Sequence, residues 1–302
     1  MNGMIGSLFA IGLAGAALAV GTPTPLATLR APPPMARGDV AYGPDALQHI
    51  DLYTVARAER APLVVYIHGG GWTMGSRGAG GGDKPAHFTT QGYVYGSIGY
   101  RFVPQVTVEQ QLGDIAAALA RLRRDARRYG IDADRIALVG HSSGAHLAAM
   151  LATDPRYLNA AGVPFEAVRA VVLIDGAGYN VPAIMAANPA GVMKYYGPAF
   201  GPDPARQGAL SPDNHVDPPN APAWLMLYDV NRPGAAVDGE GLAGLLRQAG
   251  ATVTLSGIAD SSHMQLNSNL GRYGDAATRL VDGFLTANLR HDNGFIPIEE
   301  AR

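Results

Sequence analysis

The chain reads as an α/β protein with a mostly parallel central sheet covered by helices on both faces, and three observations predict this. Short apolar runs at 63–67, 135–139, 170–174, 223–228 and 252–257 alternate with stretches of helical period. The pentapeptide Gly140-His141-Ser142-Ser143-Gly144 joins one such run to the small-residue stretch Ala145 to Leu151, a strand, sharp turn and helix in succession. The residues able to do chemistry follow apolar runs rather than precede them, and in parallel sheets ligands bind beyond the carboxyl ends of the strands.

At 302 residues the length suits one sizeable α/β domain. The net charge of −2, with the arginines gathered on one predicted helix, excludes the basic surface of a nucleic-acid or membrane binder, so small molecules are the expected partners. Cysteine is absent, which excludes disulfides and a cysteine nucleophile. Ile5 to Val20 is apolar, and Ala17-Leu18-Ala19 and Pro25-Leu26-Ala27 are candidate cleavage sites. Residues 1–27 therefore read as a signal peptide or N-terminal anchor, although no Lys or Arg precedes the run. The expected location is periplasmic or secreted, or cytoplasmic if the run is not a signal. Residues 28–38 form a Pro-rich linker, 39–290 the domain and 291–302 a tail.

Within the domain, Asp39 to Tyr42 and Gln48 to Val55 alternate polar and apolar residues around Gly43-Pro44-Asp45, predicting an edge hairpin. Leu63 to Ile67 is a buried strand that ends in His68-Gly69-Gly70-Gly71-Trp72. Three glycines at a strand end leave backbone N–H groups uncovered, able to close on a developing oxyanion. The following Gly75 to Lys84 lacks G-K-[ST] and is not a phosphate cradle. Gly92 to Tyr100 predicts a strand. Val108, Leu112, Ile115, Leu119, Leu122, Ala126 and Tyr129 share one helix face, and Arg121 to Arg128 complement the helix end before Gly130. After the strand Ala170 to Ile174 come Asp175 and a Pro-, Gly-, Asn- and Tyr-rich stretch, 176–221, expected to be an irregular cap or lid over the site. The pattern resumes with Ala223 to Tyr228, a helix through Leu242 and Leu246, a strand from Thr252 to Gly257, His263 in a polar loop, and a helix from Ala276 to Leu289.

A serine hydroxyl is a weak nucleophile until a base takes its proton, so Ser142 needs a histidine. His263 is the best candidate among eight, because in this chain order the base comes last, after the final strand. His141 and His146 lie on the turn and helix of Ser142 itself. His49, His87, His215 and His291 lack supporting pattern. No H-E-x-x-H or comparable cluster calls for a metal, and no motif calls for a cofactor.

The His68 to Trp72 run, the Gly140 to Gly144 elbow and His263 at this spacing resemble the α/β-hydrolase serine esterases, near the hormone-sensitive-lipase-like, arylformamidase-like and feruloyl-esterase-like branches. The resemblance covers about 39–290. It implies a serine carboxylester hydrolase of small esters working through an acyl-enzyme on Ser142, with His263 as general base and the amides of Gly70, Gly71 and Ser143 as oxyanion donors. Aryl formamide or amide hydrolysis on the same machinery is the alternative. In such esterases an aspartate after the penultimate strand orients the histidine, and the residue here is Asn231, with Asp229 or Asp175 as substitutes. An amide can fix the histidine tautomer but cannot balance an imidazolium, a loss approaching ~10⁴ in rate. A catalytically weak binding protein of this fold is the third reading.

Overall fold

Residues 35–55, 59–187 and 189–290 are described by the computed structural model. The expected leader at 1–27, the start of the linker and the tail at 291–302 lie outside them. Eight strands form one sheet: β1 (Met35–Ala41), β2 (His49–Val55), β3 (Ala61–Ile67), β4 (Val94–Ile98), β5 (Ile131–His141), β6 (Val168–Ile174), β7 (Ala223–Asp229) and β8 (Thr252–Ile258), in the order β1-β2-β4-β3-β5-β6-β7-β8. The edge hairpin of β1 and β2 is antiparallel, as is β2 against β4; every pairing from β4 to β8 is parallel. β1 starts at Met35, inside the expected linker.

The period of two along the strands sorts side chains to opposite faces. On β3, Leu63, Val65 and Ile67 join one core while Val64 and Tyr66 join the other. The first core takes α2 (Val108–Arg124) through Leu112, Ile115 and Leu119, α4 (Ser143–Thr153), and α9 (Pro233–Gln248) through Leu242 and Leu246. The second takes α1 (Lys84–Thr90) through Phe88, α10 (His263–Ser268) through Leu266, and α11 (Ala276–Leu289) through Val281 and Leu285. Covering both faces explains why the central strands are apolar throughout rather than alternating.

Three elements differ from expectation. The long helix stops at Arg124, and α3 (Ala126–Tyr129) is a separate turn closed by Gly130 at φ 68. A short α5 (Pro155–Ala160) follows α4. The segment expected to be irregular is largely helical: α6 (Val181–Ala187), α7 (Pro189–Phe200), α8 (Pro204–Ala209) and a 3-10 turn over Pro212–His215. Pro204 and Pro212 stand at first-turn positions, where the missing N–H has no intrahelical partner to lose, and Asp203 caps α8 by accepting from Ala205 N. Pro204 and Pro212 thus begin short helical turns, while Pro198 is carried inside α7.

Candidate active site

Ser142 lies between the last residue of β5 and the first of α4, with φ 56 and ψ −124, a conformation L-residues rarely adopt. Crowding explains the glycine on its helical side: a Cβ on Gly144 would stand 2.2 Å from the Ile67 carbonyl oxygen. Ser142 N donates to Ile174 O at 3.0 Å, which ties the turn to the end of β6. Sharp backbone turns of this kind persist only where the surroundings over-determine them, and Trp72 (φ 61) and Asp175 (φ 44) share the same property.

The loop after β3 lies directly against the serine. A Cβ on Gly69 would come within 2.9 Å of Ser142 Cβ, and Gly70 turns the chain at φ 133 while its carbonyl accepts from Thr73 N and Met74 N at 3.3 and 3.2 Å. Among the described residues, the N–H groups of Gly70, Gly71 and Ser143 have no backbone acceptor. His68 is buried, stacks on Tyr100 with ring centroids 4.3 Å apart, and gives Nδ1–H to Gly69 O at 2.8 Å; burial pushes it down to about 4. It is a neutral support under the loop.

His263 opens α10 instead of sitting in a loop, with Ser262 capping the helix by accepting from Gln265 N. Its ring lies beside the elbow: the centroid is 4.6 Å from that of His141, whose Nε2–H donates to His263 O at 2.8 Å. Burial, helped by the neighbouring His263, pushes His141 down to about 4. Among the described residues, no hydrogen bond joins Ser142 Oγ to the His263 ring.

The acid beside that ring is Asp175. His263 Nδ1 donates to Asp175 Oδ2 at 2.6 Å, and Asp229 N donates to Asp175 Oδ1 at 3.0 Å. Asn231, expected at this position, does not reach the histidine. It is exposed on the turn after β7, where its backbone N and side-chain amide both donate to Asp229 Oδ1, at 2.9 and 3.0 Å. Asp229 is thereby committed to its own turn, an Asx arrangement. The positive φ of Asp175 aims its carboxylate across the end of β7, and Asp175 N bonds to Leu227 O at 2.7 Å. Burial works to raise the Asp175 carboxyl, but hydrogen bonds from His263, Asp229 N and Arg232 outweigh it and hold the group below the usual carboxylate range.

Several functional-looking residues carried no signal in the sequence. Trp72 Nε1 donates to His146 Nδ1 at 3.2 Å, and His146 Nε2 donates to Leu210 O at 2.8 Å, so a buried imidazole, pushed down to about 4 by burial, links the glycine loop after β3, α4 and the 176–221 segment. The Trp72 ring also packs edge-on against Tyr196 and Phe200 of α7. Asp238 of α9 accepts from Gly178 N and Tyr179 N at 2.8 and 3.2 Å, pinning the chain where the cap begins; burial raises its carboxyl. Burial, then the charge of Asp238, raises Asp213 to about 7. Arg232 ion-pairs with Asp175. Among the described residues no group of three or more His, Asp or Glu is placed to hold a metal ion, and no helix is long and apolar enough to cross a membrane.

A mostly parallel sheet of this order, a serine on a strained strand-to-helix turn and a histidine after the last strand define an α/β-hydrolase fold. Among solved structures the chain superposes on esterase B from Lactobacillus rhamnosis with a TM-score of 0.67 at 23% identity, covering 85% of this chain and 86% of that one. A thermophilic esterase from Thermogutta terrifontis, Est2, gives a TM-score of 0.66 at 22% identity over 86% of this chain and 95% of that one. Residues 50–163 match the family model described as BD-FAE. Esterase LipC of Mycobacterium tuberculosis is 33% identical over 126 residues, 40% of this chain and 31% of that protein. The chain thus spans about a third of the length of the curated relatives it matches.

Proposed function

We propose that the protein is a serine carboxylester hydrolase acting on small esters. The observation that carries the reading is the Asp175 carboxylate on His263 Nδ1, with that ring lying beside the Ser142 elbow. With Nδ1–H given to Asp175, Nε2 is left bare to act as base. His263 Nε2 takes the Ser142 proton as Oγ attacks the ester carbonyl. The oxyanion forms against the amides of Gly70, Gly71 and Ser143, each worth roughly 3 kcal/mol in comparable sites. His263 then protonates the leaving alcohol, and a water, deprotonated by the same nitrogen, releases the acid from Ser142. Asp175 balances the imidazolium in both halves.

The names of the relatives, esterases throughout, support the ester over the aryl formamide. A carboxylate beside His263 weighs against the impaired-hydrolase alternative, whose motive is Asn231. The test is hydrolysis of p-nitrophenyl butyrate and a matched aryl formamide by the wild type and Ser142→Ala. The expected result is a preference for the ester and a loss of at least ~10⁴-fold in kcat on substitution. Equal rates with and without the hydroxyl would refute the reading, and a preference for the formamide would favour the alternative.

A further inference from the structure

We propose that Arg232 is a positioning residue of this site: its guanidinium clamps the Asp175 carboxylate beside His263 and sets the charge that His263 meets when it takes the serine proton. The inference rests on the roles proposed above for Ser142, His263 and Asp175. Arg232 Nη1 donates to Asp175 Oδ2, the oxygen that also accepts from His263, and reaches Asp175 O at 3.4 Å. The same nitrogen stands 2.7 Å from His263 Nδ1, where two N–H groups meet side by side on the shared Asp175 oxygen and do not bond to each other. The Asp175 side chain is fully buried whereas that of Arg232 is 39% exposed, so the cation reaches inward from the solvent side to meet the acid. Its own backbone is fixed, because Arg232 N donates to Asp229 O at 2.9 Å as the turn enters α9.

Two chemical consequences follow from this placement. A buried carboxylate must be paired to stay ionised, and Arg232 supplies a partner that does not depend on the protonation state of His263. Once His263 is protonated, however, Asp175 faces two cations, and each weakens the attraction left for the other. Arg232 therefore opposes protonation of His263 while keeping the acid in place. The other titratable groups near this cluster are His141 at the end of β5, buried and neutral, whose ring lies beside that of His263; Lys84 at the start of α1, within electrostatic reach of His141; and Asp229 at the end of β7, whose carboxylate is taken up by Asn231. Among the described residues, Asp175 and Arg232 alone contact Nδ1.

The test is a pH titration of the His263 ring nitrogens by NMR in full-length ¹⁵N-labelled wild type, Arg232→Met and Arg232→Lys, alongside pH profiles of kcat/KM for p-nitrophenyl butyrate. Removing the charge should move the His263 titration and the acid limb of the profile together to higher pH by roughly 0.5–1 unit, a modest shift because the guanidinium is partly solvated. The lysine variant, which keeps the charge, should stay close to wild type, with KM little changed in either. A folded methionine variant that titrates like wild type would overturn the proposal, and Arg232→Gln supplies a second neutral variant should the first not fold. The ring titration needs no turnover. A wild type that hydrolyses no ester would therefore count against the proposed function, while the titration would still decide the role of Arg232.

Discussion

Asp175 and Asn231 sit after neighbouring strands, and in the proposed mechanism the one that meets His263 sets how well Ser142 would be activated. The geometry favours Asp175, since the amide of Asn231 is spent on Asp229. Replacing Asp175 with Asn should lower kcat on p-nitrophenyl butyrate by about 10⁴-fold, close to 5 kcal/mol of transition-state stabilisation, because the histidine loses its tautomer control and its counter-charge. Asn231→Ala should cost less than about threefold, since it removes only a turn contact. Steady-state kinetics on the two variants would separate them, and the reverse ranking would return the orienting role to the loop after β7. The sharp strand-to-helix turn at Ser142 and the glycine turn after β3 were legible because such turns need particular residue types in a fixed local pattern. The acid was not, since a bare Asp after any strand looks the same, and the φ of 44 that aims Asp175 is a tertiary property. Arg232, His146 and Asp238 contact partners 31 to 74 positions distant, and no local pattern marks them.

At the scale of elements, the strands and the α2, α4, α9 and α11 helices follow from apolar runs and helical period, and their observed bounds differ from expectation by a few residues. The cap shows where that reasoning gives out. Pro and Gly content predicted irregular chain between 176 and 221, yet prolines at first-turn positions allow α8 and the 3-10 turn to form, and tertiary contacts through Trp72, Tyr196 and Phe200 hold α7 down. The elbow makes a sharper prediction. Its helix starts so close to the end of β3 that Gly144→Ala must push a methyl to 2.2 Å from Ile67 O, a backbone atom that cannot swing aside. Expected is a loss of more than about 3 kcal/mol by urea denaturation or failure to accumulate as folded protein. Gly113→Ala, in helix α2 with nothing within 4 Å of the added methyl, serves as the control and should be neutral or slightly stabilising.

For the molecule as a whole, the cap is fastened where two acids meet, Asp238 holding Gly178 and Tyr179, and Asp213, whose backbone N donates to Tyr179 O at 3.1 Å. Burial and the charge of Asp238 raise Asp213 to about 7 from an ordinary 3.8. A carboxyl raised in the folded state holds its proton more tightly there than when unfolded, so it does no harm at pH 4. It weakens the fold progressively as pH rises from about 4 to 7, and the penalty is constant above that. Asp213→Asn removes this penalty. Thermal melts should show the variant more stable than wild type at pH 8, by on the order of 5 °C, and indistinguishable from it at pH 4. A difference of the same size at both pH values would mean that packing, not ionisation, is responsible.

The proposed function requires Ser142 Oγ to be an activated nucleophile in an ester-cleaving site. It is tested most directly by trapping with diethyl p-nitrophenyl phosphate, which phosphorylates such a serine with release of p-nitrophenolate and then resists hydrolysis. Expected are one p-nitrophenolate per chain, loss of hydrolysis of p-nitrophenyl butyrate in parallel, and a diethylphosphoryl adduct located by peptide mass spectrometry on Ser142. Labelling of another residue, or full activity after Ser142 is labelled, would contradict it.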